Sequence, residues 1–148
     1  TIPVALRSSK NNGVSEGIAN FTVPLCATIH LSGSTITLVT CATAVMFLSE
    51  HLAIPGYGTM LPFIMMLGVI MIAAPGAPGG AVMSALGLLT SMLGLSEASV
   101  ALMIALYLAQ DSFGTACNVT GDGVIALWAD RFANGNEATG VTRQSEAA

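Results

Sequence analysis

Asp111-Ser112-Phe113-Gly114-Thr115-Ala116-Cys117-Asn118-Val119-Thr120-Gly121-Asp122 sets two carboxylates inside a segment that is otherwise apolar. An Asp at the centre of a spanning helix costs about 2.5–3.5 kcal/mol on an insertion scale, so one that persists faces protein, water, an ion or a substrate. Asp111, Thr115, Asn118 and Asp122 recur at i, i+4, i+7 and i+11, which puts all four on one helical face. The spacing predicts a membrane helix that forms one wall of a binding site.

The rest of the composition agrees with a membrane location. Of 148 residues, 53% are hydrophobic and 8% charged, against roughly 25% charged in soluble domains, and the mean hydropathy is +0.77. Four Lys and Arg form no patch, which argues against nucleic acid as a partner. Cys26, Cys41 and Cys117 show no CxxC spacing and read as small packing residues, not a disulfide framework. Thr1 is not an initiator and no cleavable leader follows it, so the sequence reads as the tail of a longer protein. With about two full spans, it does not enclose a translocation path alone.

Outward from the opening segment, the apolar stretches are separable. Residues 21–48 are long enough to cross a ~30 Å hydrocarbon core, although His30-Leu31-Ser32-Gly33-Ser34 interrupts them, so 13–48 are read as a transmembrane helix with an unwound centre. Residues 49–59 are a polar connector, 60–95 an apolar stretch broken at Ala74-Pro75-Gly76-Ala77-Pro78-Gly79-Gly80, 96–130 the last transmembrane helix, and 131–148 a disordered tail. Arg7 and Lys10 precede the first span, Arg131 and Arg143 follow the last, and the connectors carry no Lys or Arg. The positive-inside rule puts all four on the cytoplasmic side, with the C-terminus. The middle stretch must then return to the side it came from, as a re-entrant hairpin.

A repeat accompanies this topology. Gly13-Val14-Ser15-Glu16 and Gly94-Leu95-Ser96-Glu97 each introduce an apolar run, 81 residues apart. At the same offset His30 aligns with Asp111, Gly33 with Gly114, Ser34 with Thr115 and Thr37 with Asn118. With one span between them the copies start on opposite sides, and inverted repeats with discontinuous helices are a signature of secondary transporters. The fold class is therefore an all-α membrane protein, an inverted-repeat transporter with re-entrant helical hairpins.

Three motifs in order resemble the dicarboxylate/amino acid:cation symporter family. Asn118-Val119-Thr120-Gly121-Asp122 is similar to a signature of that family's last helix, Ala74 to Gly80 to the tip of its second hairpin, and Val14-Ser15-Glu16-Gly17 with Pro24-Leu25-Cys26-Ala27-Thr28-Ile29 to the start of its seventh helix. Thr1-Ile2-Pro3-Val4 resembles the descending arm of the first hairpin, here 1–12, and the resemblance covers residues 1 to 130. Members of this family are among the transporters in which inverted repeats are known, so that geometry comes with the resemblance.

The resemblance implies one partial transport domain of an elevator-type secondary transporter, with no enzymatic activity. It implies a homotrimer assembled through a scaffold domain absent from this chain, lying in the lipids of a prokaryotic plasma (inner) membrane. A small-molecule substrate would be held by Asp111 through its ammonium, by Thr115 and Asn118 through hydrogen bonds, and at the hairpin tip by Ala77, Pro78 and Gly79. Sodium is the implied coupling ion, with no other cofactor. Asp122 would be its carboxylate ligand, with oxygens of Asn118, Thr28, His30, Ser32, Ser34, Ile72 and Ala74, several of them backbone carbonyls where helices unwind.

Two positions depart from the family pattern. Acidic-substrate members carry an Arg one turn after the Asp, where its guanidinium clamps a second carboxylate; here the position is Gly114. A Gly there opens volume and favours a neutral substrate, or else it serves close helix packing. The family's Asn-Met-Asp-Gly-Thr appears as His30-Leu31-Ser32-Gly33-Ser34. Ser32 removes one carboxylate from a sodium site, and His30 either stays neutral against backbone or carries a proton and gives proton or mixed coupling.

The function expected is cation-coupled symport of a neutral amino acid or related small organic acid. The alternatives are a dicarboxylate or glutamate/aspartate symporter, and an ion-conducting channel, since polar seams and re-entrant loops also build pores. An intramembrane enzyme is disfavoured: Asp111 and Asp122 lie ~16 Å apart along a helix, too far to act on one bond.

Overall fold

At His30-Leu31 the first apolar stretch stops being helical, and from this break the architecture follows. The computed structural model describes residues 1–49 and 51–145, with side-chain surroundings as far as Gly135. Six helices and no strand occur among the described residues: α1 (Ile2–Asn11), α2 (Glu16–Ile29), α3 (Ser32–Leu48), α4 (Tyr57–Ile72), α5 (Gly80–Leu93) and α6 (Glu97–Ser145). Two stretches, Glu16–Leu48 and Glu97–Gly135, are long and apolar enough to cross a membrane. Two compact bodies result, residues 1–27 with 119–148 and residues 28–118.

In the first body, Pro3 lies in the first turn of α1, where its missing N–H breaks no helical bond. The helix ends through Gly13 at φ 91°, with the Gly13 N–H donating to Lys10 O and the Val14 N–H to Ser9 O, the paired bonds of a Schellman stop. Val14, Ala19, Val23 and Ala126 form a small core, with Ala5, Leu6, Ile18 and Leu127 at its edge.

In the second body, α4 and α5 pack together and both meet α3. The apolar registers explain the contact: α3 buries Leu38, Cys41, Ala42, Val45 and Met46, and α4 buries Phe63, Leu67 and Met71. From α5 come Ala81, Val82, Ala85, Leu88, Leu89 and Leu93, and from α6 Met103 and Tyr107. At 16 and 14 residues, α4 and α5 are about 24 and 21 Å long, short of a ~30 Å hydrocarbon core. Pro55 and Gly56 stop at the N-cap, so α4 begins at Tyr57, inside the stretch read as connector.

The same start recurs 81 residues on. Gly94, at φ 67°, ends α5 as Gly13 ends α1, and α6 begins at Glu97 as α2 begins at Glu16. One expectation needs correcting. Residues 131–145, read as a disordered tail, are helical, because α6 continues to Ser145; the segment has no Pro, and extending an existing helix needs no new nucleus. The remaining residues 146–148 lie outside the described residues.

Candidate functional site

The break between α2 and α3 leaves N–H groups at the start of α3 that the helix itself cannot satisfy. Leu31, its N-cap, has φ −117° and ψ 40° and offers no side-chain acceptor. Another helix supplies one. The Gly33 N–H donates to Asn118 Oδ1 at 2.8 Å, and Asn118 Nδ2 donates to Ser34 Oγ at 2.9 Å. Asn118 is 7% exposed, so this carboxamide acts as an N-cap delivered from α6.

The two helices touch backbone to backbone just beside that cap. A Cβ at Gly33 would fall against the Gly114 carbonyl oxygen, 2.6 Å from Cys117 Cβ and 3.2 Å from Asn118 Oδ1. A Cβ at Gly114 would lie 3.1 Å from Thr37 Oγ1 and 3.4 Å from the Gly33 carbonyl. The contacts are reciprocal: each glycine meets the other, together with the partner of the aligned pair Thr37 and Asn118. Thr37 Oγ1 is held in place by donating to Gly33 O at 2.9 Å.

The missing side chain at Gly114 leaves room for α3, an arrangement that fits the close-packing reading of this position.

Asp111 is half-buried and Thr115 exposed, so the predicted four-residue seam divides: Asn118 and Asp122 are buried, Asp111 sits at the rim and Thr115 outside it. Tyr107, one turn before Asp111, is 1% exposed. Sequence reading missed it; an aromatic in an apolar helix gives no signal, and only its four-residue spacing from Asp111 points to it.

The hairpin loop meets the same stretch of α6. Gly79 has φ 76°, a conformation open to glycine, and a Cβ there would come within 3.0 Å of Leu108 Cδ2. The Gly80 N–H donates to Ala77 O at 2.9 Å, and a Cβ on Gly80 would strike the Pro75 carbonyl. Ala77 and Pro78 are exposed, Ala74 and Gly79 buried, and Ile72, the last residue of α4, exposed. Of the other residues expected around an ion, Thr28 and Ser32 are exposed, His30 is half-buried at the break, and Ser34 is buried under Asn118. Helix α6 is continuous through Asn118, so no unwinding occurs there.

In the first body, Asp122 is 3% exposed and lies near Cys26. Asp130 accepts the Ser15 N–H at 3.0 Å and its hydroxyl at 2.5 Å, with Asn134 Nδ2 adding a third bond at 2.9 Å. Sequence reading gave Asp130 no role; it tethers α6 to the start of α2. Among the described residues, no three His, Cys, Asp or Glu side chains gather as a metal cluster.

The sodium:dicarboxylate symporter family matches residues 1–132 of the chain. The chain belongs to this family. No curated protein and no solved structure matches it. The symporter family comprises membrane transporters of small molecules driven by sodium, not enzymes, which accords with the two candidate membrane-spanning stretches.

Proposed function

We propose that this chain is part of a sodium-coupled symporter for a neutral amino acid, working by elevator-type alternating access. Asp111 holds the ammonium of the substrate, and the loop around Ala77, Pro78 and Gly79 closes over it. The carrying observation is convergence within residues 28–118: a helix break, a glycine-rich hairpin loop and a half-buried carboxylate share one body that contains no Lys or Arg. A second carboxylate on the substrate would meet no cation there, which favours a neutral substrate. The short arms α4 and α5 and the reciprocal Gly33–Gly114 contact suit a re-entrant hairpin beside two inverted copies.

Asp122 serves as a sodium ligand in this reading. A hard cation takes carboxylate and neutral oxygens, and its charge offsets that of a carboxylate buried in a membrane protein. Asn118, committed through both ends of its carboxamide to α3, positions the break, with its remaining lone pair and proton left for substrate or ion. A dicarboxylate substrate is the second reading, favoured by the description of the family.

Competition separates the two readings. In proteoliposomes holding the full-length protein, uptake of a labelled neutral amino acid is expected to be inhibited by other neutral amino acids and not by C4 dicarboxylates. Inhibition by dicarboxylates alone would replace the first reading by the second.

A further inference from the structure

Helix α6, with 49 residues, is about 74 Å long, more than twice a ~30 Å hydrocarbon core. It must leave the bilayer, and its last apolar turns show where. Two rows of side chains run along it at four-residue spacing. Asp122, Ala126 and Asp130 form the inner row: Ala126 is packed in the core with Val14, Ala19 and Val23, and Asp130 is bonded to Ser15. The outer row, two residues out of step and so on the opposite side, is Val124, Trp128 and Phe132, with exposure rising from 49% through 66% to 79%. Trp128 and Phe132 meet edge to face, ring centroids 6.4 Å apart and planes at 79°, a favoured aromatic geometry.

Charge gathers at the same end. Arg131 follows Trp128 by three residues, a neighbouring position on the helix surface, and is exposed. Arg7 is next to Leu6, which, like Leu127, packs against the core of the first body, so α1 carries a second exposed cation to this end. Lys10 is held by Glu16 at 2.6 Å, and the Asp130 carboxylate is occupied by Ser15 and Asn134. Among the described residues neither arginine has an ion-pair partner. An indole beside unpaired guanidinium groups is the chemistry of a membrane–water interface: the ring lies at headgroup level and the guanidinium pairs with phosphate.

We propose that Trp128, Phe132, Arg131 and Arg7 form a collar that binds anionic phospholipid and fixes the depth at which α6 leaves the bilayer. The occupant is lipid because the surface joins an exposed apolar row to unpaired positive charge, complementary to an acyl chain topped by a phosphate. The collar acts whatever the transported substrate is.

The test is fluorescence quenching of Trp128 in the full-length, substrate-free protein, reconstituted in phosphatidylcholine vesicles doped with brominated phospholipid. Trp128→Phe supplies the background from any other indole. Bromine on the acyl chain next to the headgroup is expected to quench at least twofold more than bromine near the chain end. At one bromine position and mole fraction, phosphatidylglycerol is expected to quench at least twofold more than phosphatidylcholine. Combining Arg7→Gln with Arg131→Gln, or raising the salt concentration, should remove that difference. Both arginines are exposed, so the double variant should melt with the parent; if it does not, the salt titration of the parent decides. Absence of quenching by any lipid shows the face covered by protein and overturns the proposal, and strongest quenching from the chain end overturns the depth. Equal quenching by the two lipids, or a preference that survives both the double variant and salt, overturns the anionic site.

Discussion

Asn118 caps a helix to which it does not belong: its Oδ1 accepts the Gly33 N–H at 2.8 Å, at the point where the first long apolar stretch breaks. Capping is usually local, by a Ser, Thr, Asp or Asn at the start of the same helix. Leu31 occupies that place here and has no acceptor to offer. The start of α3 therefore depends on α6, and the break at His30-Leu31 is tied to the helix that carries both Asp111 and Asp122.

Replacing that cap leaves a buried donor unmet. Asn118→Ala is expected to lower the unfolding free energy by about 1–3 kcal/mol, measured by thermal or denaturant unfolding in detergent. Hydrogen exchange should localise the damage to the Gly33 amide and the first turn of α3. Unaltered protection at Gly33 would show that the cap is replaceable.

The two glycines at the crossing are expected to differ. A methyl at Gly33 runs into the Gly114 backbone, which cannot rotate away, whereas one at Gly114 meets the end of the Thr37 side chain. Gly33→Ala should be destabilising by about 1–3 kcal/mol through overpacking, and Gly114→Ala by clearly less. Equal losses would contradict the reciprocal crossing.

Gly114→Arg follows from the same geometry. An open position would accept a guanidinium and gain affinity for aspartate or glutamate; a position packed on Gly33 and Thr37 will not. The variant is expected to lose folded yield, read by size-exclusion profile, without acquiring uptake of acidic amino acids. Robust aspartate uptake would restore the reading of Gly114 as a specificity position.

Asp122→Asn removes the charge proposed to hold sodium while keeping the shape of the side chain. Its half-saturating sodium concentration is expected to rise at least tenfold, measured by sodium-dependent uptake, with substrate KM at saturating sodium changed far less. The opposite pattern would move Asp122 from the ion to the substrate.

Much of this arrangement is legible before any coordinates. The 81-residue offset anticipates both helix starts, at Glu16 and Glu97, because glycine stops and Ser-Glu starts are local signals. His30 to Ser34 announces the break, and the Pro-Gly run announces the hairpin loop. What sequence leaves hidden is direction. The spacing of Asp111, Thr115, Asn118 and Asp122 fixes a common face to within a broad arc, yet a rotation of a few tens of degrees decides that Thr115 is exposed and Asn118 buried. Gly114 has the same ambiguity, since a missing side chain looks alike whether it faces a substrate or a neighbouring helix. Asp130 escapes notice because its partner, Ser15, lies far away in sequence.

The most direct test of the central claim is uptake of a labelled neutral amino acid by the full-length protein in proteoliposomes. It is measured with an inward sodium gradient at fixed pH, and again in sodium-free buffer with an inward proton gradient. Sodium-coupled symport through Asp111 predicts concentrative uptake under the sodium gradient, none without sodium, and loss of uptake in Asp111→Asn. Accumulation that needs no sodium, or that survives Asp111→Asn, would contradict it.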